Sequence, residues 1–156
     1  MDINERAMEV ALSEATEVLF YIDRCKRKGI PLIRAFKACG VDIIIKGKGS
    51  AQAHREAISI FEKGVEIGCG DCAKEISNLH RFGRIKGASE EGRAWWLEKA
   101  RKLWEKQALG GDAYSADSLA NSYRNSDKVK CKFWRNKAIE IDKSYIEFYK
   151  DQTTNN

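Results

Sequence analysis

Cys69-Gly-Asp-Cys72 is the stretch in which residue type and spacing most directly suggest chemistry, because two thiols three positions apart can form a redox pair or half of a zinc site. A zinc site needs four ligands, and only His80 with Cys39 or His54 could complete this one. There is no second CxxC in the chain. Cys25, Cys39, Cys72 and Cys131 also fall where a small apolar residue recurs along the sequence, a role that free cysteine fills well. The cysteines therefore read as structural, with a zinc or thiol module through Cys69 and Cys72 as the alternative. Of the two histidines, His80 takes an aromatic slot in its helix and reads as packed, whereas His54 reads as exposed. Neither has an evident nucleophile beside it, and no Walker loop, dinucleotide glycine fingerprint or HExxH is present. The sequence points to a protein that is not an enzyme and calls for no cofactor.

Binding residues are easier to find. Trp95 and Trp96 are adjacent, with Arg93 beside them. Neighbours on a helix point about 100° apart, so one groove cannot bury both rings, and one of the two is expected to face a partner. The net charge is +5, with basic clusters at Lys26-Arg27-Lys28, at Arg81, Arg84 and Lys86, and at Lys128, Lys130, Lys132, Arg135 and Lys137. Such clusters can neutralise phosphates, which makes a nucleic-acid-associated regulator a second alternative. However, 23 acidic residues are interleaved with the 28 basic ones, so no long single-sign stripe forms, and a protein partner with an acidic surface fits better.

The elements that must position these residues are helices in a repeating pattern. Ala57, Ile60, Phe61, Gly64, Val65 and Gly68 share one face of a 3.6-residue helix. Ala100, Leu103, Trp104, Gln107, Ala108 and Gly111 repeat the spacing, as do Cys131, Trp134, Arg135, Ala138, Ile139 and Asp142, with Val18, Tyr21, Ile22, Cys25 and Gly29 as a fainter copy. Between them runs a second pattern: Ala35, Cys39, Gly40 and Ile44, then Cys72, Ile76, Ser77 and His80, then Ser115, Leu119, Ala120 and Tyr123. The small residue next to the central bulky one, Gly40 in the first copy, lets two helix axes approach closely. Two alternating helices with an irregular period of roughly 30–45 residues indicate a solenoid of helix pairs.

The run Gly47-Lys48-Gly49 followed after seven residues by AISIFEKGVEIG (57–68) resembles the Sel1-like repeat family, relatives of the tetratricopeptide repeat. It follows the family's GxG loop and AxxWYxKAAxxG helix, with Ile60 in the place of the usual Trp, Gly64 and Val65 in the place of paired alanines, and Ala53 in the place of the loop's Asp. The resemblance covers roughly residues 35–142 and weakens after the first repeat. It implies an all-α, right-handed α–α solenoid of about three helix pairs with N-terminal and C-terminal capping helices. The first helix of each pair is expected to line the concave side, which makes Lys74, Asn78 and Arg81, then Asp117, Asn121 and Arg124, candidate contacts alongside Arg93, Trp95 and Trp96. The family also has secreted members with a regular cysteine pair in each repeat, a regularity that these five cysteines lack. A short chain of this kind looks like small bacterial or phage adaptors and inhibitors, for example an immunity or antitoxin-like protein that occludes its partner.

Composition and punctuation agree with a helical domain. With 43% hydrophobic residues, 33% charged and a single proline in 156 residues, the sequence reads as one globular helical-repeat domain over 1–150. Its parts are an N-terminal helix (1–29), repeats (31–142), a closing helix (143–150) and a disordered tail (151–156). Asp2 or Asn4 is expected to cap one long helix that reaches Lys28 and stops at Gly29. Ile30-Pro31 is expected to start the next, and Asp71, Asp112, Ser126-Asp127 and Ser89 to cap later ones. No apolar run approaches a membrane span of about 20 residues, and MDINERAMEV has no apolar core of a signal peptide, so a cytoplasmic, non-membrane protein is expected.

Overall fold

A computed structural model describes residues 1–154, with side chains through 152. Nine α-helices and no strand occur among the described residues: α1 (Ile3–Ser13), α2 (Leu19–Lys28), α3 (Arg34–Lys46), α4 (Ala51–Glu66), α5 (Gly70–Arg81), α6 (Glu90–Leu109), α7 (Ala113–Tyr123), α8 (Lys128–Ile141) and α9 (Tyr145–Thr154). They fall into two compact units, divided within α6 between Ala100 and Arg101. None of the helices is long and apolar enough to cross a membrane.

In the first unit, Asp2 caps α1 in a capping box with Glu5. Asn4 does not cap the helix but ties it to the start of the next element, its side-chain oxygen accepting from the Leu32 N–H at 3.0 Å. The single long helix expected to reach Lys28 is broken in the structure. Ser13 Oγ donates back to the Glu9 carbonyl at 2.8 Å, and a 3-10 turn, Thr16–Val18, follows Ala15. A serine bonding back to its own turn competes with helix continuation, and β-branched Thr16 and Val18 disfavour it further. The bend buries Ala15 and Val18 completely, and Lys63 of α4 satisfies the exposed Glu14 carbonyl at 2.9 Å. Gly29 then ends α2 in the left-handed conformation (φ 66°), as a C-terminal glycine can. Pro31 opens a turn rather than the helix itself. The Arg34, Ala35 and Phe36 N–H groups bond three residues back, and α3 begins at Arg34.

α3 packs against both α4 and α5, and α4 packs against α5. The α3–α4 approach depends on Gly40, where a Cβ would sit 2.2 Å from Phe61 Cε1, and the α4–α5 approach on Gly64, where it would sit 2.5 Å from Cys72 Sγ. These positions belong to the repeating pattern, and Ala57, Ile60, Phe61, Ala35, Cys39, Cys72, Ile76 and Ser77 are all buried with them. Ser89 caps α6 through the Gly92 N–H at 2.9 Å, and Gly92 in turn leaves room for the His80 ring, which lies 2.4 Å from where its Cβ would be.

In the second unit α7 packs on α8, and α8 on α9. The remaining part of α6 is joined to α7 by Arg101, which donates to the Ser122 carbonyl at 2.6 Å and to Ser122 Oγ at 3.1 Å, and by Ser115 Oγ, 3.0 Å from Gln107 Oε1. Asp127 caps α8 through the Lys130 N–H at 3.0 Å. The closing helix, expected to end at 150, continues to Thr154, so most of the expected tail is helical; residues 155 and 156 lie outside the described residues.

Candidate functional site

The CxxC pair is a helix start. Cys69 is the N-cap of α5, and its Sγ accepts from the Cys72 N–H at 3.1 Å. The two-residue spacing is that of an N-cap and the third helical position, where a cap serine or aspartate normally acts. This corrects the expectation for Asp71, which lies inside the first turn, buried, instead of capping the helix. Cys72 lies completely buried beside Gly64, and burial pushes its thiol well above its ordinary value. All five cysteines are free and buried, and burial pushes Cys25 up and Cys39 up to about 11, so these two thiols carry little thiolate at neutral pH. Among the described residues no group of three or more His, Cys, Asp or Glu side chains is arranged to hold a metal ion.

His54, expected to be exposed, is only 6% exposed. Because Ser50 caps α4 and the helix begins at Ala51, residue 54 falls on the same face as Ala57 and Phe61, and its Nδ1–H meets the Ser50 carbonyl at 2.9 Å. The i, i+3, i+7 spacing of 54, 57 and 61 is the signal that could have found it. His80 is partly buried, and its Nδ1 accepts from the Ser89 N–H at 3.2 Å.

Six of the nine candidate contact residues belong to the first unit. Trp96 packs against the core, whereas Trp95 is 60% exposed and meets the Trp96 ring edge-on at 4.9 Å. An exposed indole is thus braced by a packed one. Two residues before it, Arg93 is held by Glu90, its one Nε–H shared between the two carboxylate oxygens at 2.7 and 2.8 Å and its Nη2 donating to Oε1 at 2.5 Å, and its backbone carbonyl accepts from Ser77 Oγ at 2.8 Å. The hydrogen bond from Arg93, aided by the charge of Arg81, holds the Glu90 carboxyl below its ordinary value, so Arg81 lies within electrostatic reach of this corner. Arg81 itself also stacks over the exposed Phe82 ring, 5.5 Å from its centroid. The structure therefore brings Arg81 toward the Glu90–Arg93 pair where α5 ends and α6 starts, whereas Trp95, two positions beyond Arg93, points to the other side of α6.

Lys74 and Asn78 lie half-buried on α5. Between them is Glu75, a residue that its type and position did not single out. Glu75 is pushed up mainly by burial, an effect offset by the charge of Lys37 on α3 and by a hydrogen bond with Asn78. Its signal was only its register, one residue from a candidate contact and one from the buried Ile76.

The other three candidates belong to the second unit and divide. Asn121 is exposed and Arg124 lines an open cleft, but Asp117 is 9% exposed and is no solvent-facing contact. Its Oδ1 accepts from the Tyr149 hydroxyl at 2.7 Å and its Oδ2 from Asn121 at 3.3 Å, so it anchors α9 to α7. Burial and the Asp117 carboxylate push the Tyr149 phenol strongly up. The basic cluster of α8 divides as well. Lys130 lies over the Tyr123 ring at 5.1 Å and Lys137 is 3.6 Å from Glu140, whereas Lys128, Lys132 and Arg135 line the cleft with Arg124. In comparison with known proteins, no family model, curated protein or solved structure matches this chain.

Proposed function

We propose that this chain is a non-catalytic protein-interaction module, a right-handed α–α solenoid of about three Sel1-like helix pairs. In this reading it is a small adaptor or inhibitor, of the immunity or antitoxin kind, that works in the cytoplasm and holds a partner protein with an acidic surface. The repeat reading is supported by burial at equivalent positions in successive helices: Ala57, Ala100 and Cys131 in one series, Ala35, Cys72 and Ser115 in the other. Contact of α3 with both α4 and α5 also supports it.

The observation that carries the interaction reading is Trp95. Trp95 is left 60% exposed and offers a large apolar area to a partner, and its edge-on contact with a packed Trp96 limits the entropy that it would lose on docking. Arg81 stacked on Phe82 at the end of α5 adds a cation and a second exposed ring, residue types over-represented where binding energy concentrates. Acidic groups on a partner would find Arg81 while Trp95 fills an apolar pocket.

The test is affinity capture from the native host with the full chain and with Trp95→Ala and Arg81→Glu. One stoichiometric protein, kept by the parent chain and lost at least tenfold by both variants, is the expected result. Trp95→Ala should destabilise the fold by no more than about 1 kcal/mol, since the edge-on contact with Trp96 is the one packing interaction that it loses. Capture that is indifferent to both substitutions would refute the reading.

A further inference from the structure

The cleft of the second unit has a chemistry that the protein-interaction reading leaves unused. It encloses about 570 Å³, a volume within the range of small-molecule sites, and is lined by Arg124, Lys128, Lys132 and Arg135 with no carboxylate among its lining residues. None of the four takes part in an ion pair among the described residues. Lys128, Lys132 and Arg135 follow one another at i, i+4 and i+7 along α8, a spacing at which like charges repel. The arrangement opposes itself until an anion enters.

A second observation points into the same cleft. The Arg135 guanidinium lies over the Tyr149 ring, 5.1 Å from its centroid, and Tyr149 is itself held by Asp117, so the arginine is fixed in place. Its Nε–H is nevertheless buried with no acceptor. A buried donor without a partner is costly, and the oxygens of a phosphate would supply the acceptor. Asn125 and Asn136 also line the cleft and carry amide donors, and Cys131 and Ile139 add apolar surface.

We propose that this cleft binds a small molecule carrying two or more linked phosphates, the class that includes nucleoside di- and triphosphates and inorganic polyphosphate. The four cations match the charge of a triphosphate, and a guanidinium can meet phosphate oxygens through parallel hydrogen bonds. An extended nucleic-acid strand fits less well. The two lysines that would lengthen the stripe along α8 are engaged elsewhere, Lys130 over Tyr123 and Lys137 beside Glu140. The positive charge is thus gathered into a compact cleft.

The experiment is calorimetric titration of the full chain with tripolyphosphate, ATP and a short single-stranded oligonucleotide, at low and at physiological salt. Expected is one-to-one binding of tripolyphosphate or ATP, weakened about tenfold or more by Arg135→Gln and by Lys132→Gln, and unchanged by Lys102→Gln, which removes an exposed charge outside the cleft. Equal affinity for the two phosphates assigns recognition to the phosphates alone, and tighter ATP binding adds a contact to the nucleoside; both support the proposal. Lys132 is exposed, so its variant keeps the test valid if Arg135→Gln unfolds in circular dichroism. No binding of either phosphate, equal weakening by Lys102→Gln, or binding of the oligonucleotide alone would overturn it.

Discussion

Gly40→Ala is the sharpest perturbation of this fold, because two effects of opposite sign meet at one atom. In an isolated helix the change should stabilise by about 1 kcal/mol, since glycine gives up more backbone freedom than alanine. Here the new methyl would sit 2.2 Å from Cε1 of Phe61, a ring with no exposed surface, and two other ring atoms would be 2.7 Å away. Carbon atoms pack at roughly 3.5–4.0 Å, so the ring or the whole of α4 must retreat by more than about 1 Å. Neither can do so freely, because Gly64 on the same helix is locked against Cys72 of α5. Overpacking of this kind costs about 1–3 kcal/mol, and the severity of this contact puts the expected net destabilisation at about 1–2 kcal/mol after the propensity gain. Urea unfolding followed by far-UV circular dichroism and tryptophan fluorescence would measure it. The decisive comparison is a double-mutant cycle with Phe61→Leu: in that background the Gly40→Ala change should be near neutral or stabilising, with a coupling energy above about 1 kcal/mol. A Gly40→Ala protein at least as stable as the parent, or additive behaviour with Phe61→Leu, would refute the close-packing argument for the α3–α4 pair.

The remaining expectations concern the buried polar and ionisable groups. Cys39 is raised from 9.0 to about 11 in the folded chain, chiefly by burial, so its contribution to stability is fully present below pH 9 and is lost as pH rises toward 11. Cys39→Ala should flatten the alkaline limb of a stability profile in that window; an unchanged limb would show that the thiol is not held dry. In the second unit, Tyr149→Phe removes the hydroxyl that donates to the buried Asp117 and should cost about 1–3 kcal/mol in chemical unfolding, whereas Asn121→Ala, which removes a longer 3.3 Å bond from an exposed residue, should cost less. Equal losses would mean that Asp117 is not anchored through α9.

Some of this protein was legible without coordinates because it depends on neighbours a few residues apart. Helical periodicity marks which face of each helix is buried, and the small residues at 40 and 64 mark where two helices touch. Caps at Asp2, Ser89 and Asp127 and the stop at Gly29 obey local hydrogen-bond rules that the residue types announce. The candidate site was legible only in outline. Two adjacent tryptophans imply that one is exposed, but whether it is 95 or 96 depends on the angle at which α6 meets the core, which no local rule contains. The CxxC pair likewise carried two meanings until the start of α5 made one sulfur the cap and the other a core atom.

The helical chain, its register of buried positions and most of its helix ends follow from spacing and capping within a turn or two of each residue. The break of the first helix at Ala15, the inward turn of Asp117 to a tyrosine 32 residues away, and the gathering of some cations of one basic cluster into a cleft while others are engaged elsewhere arise only from packing between distant segments. Each of these is a choice between partners distant in the chain, and free energies of that kind exist only once the helices have been brought together.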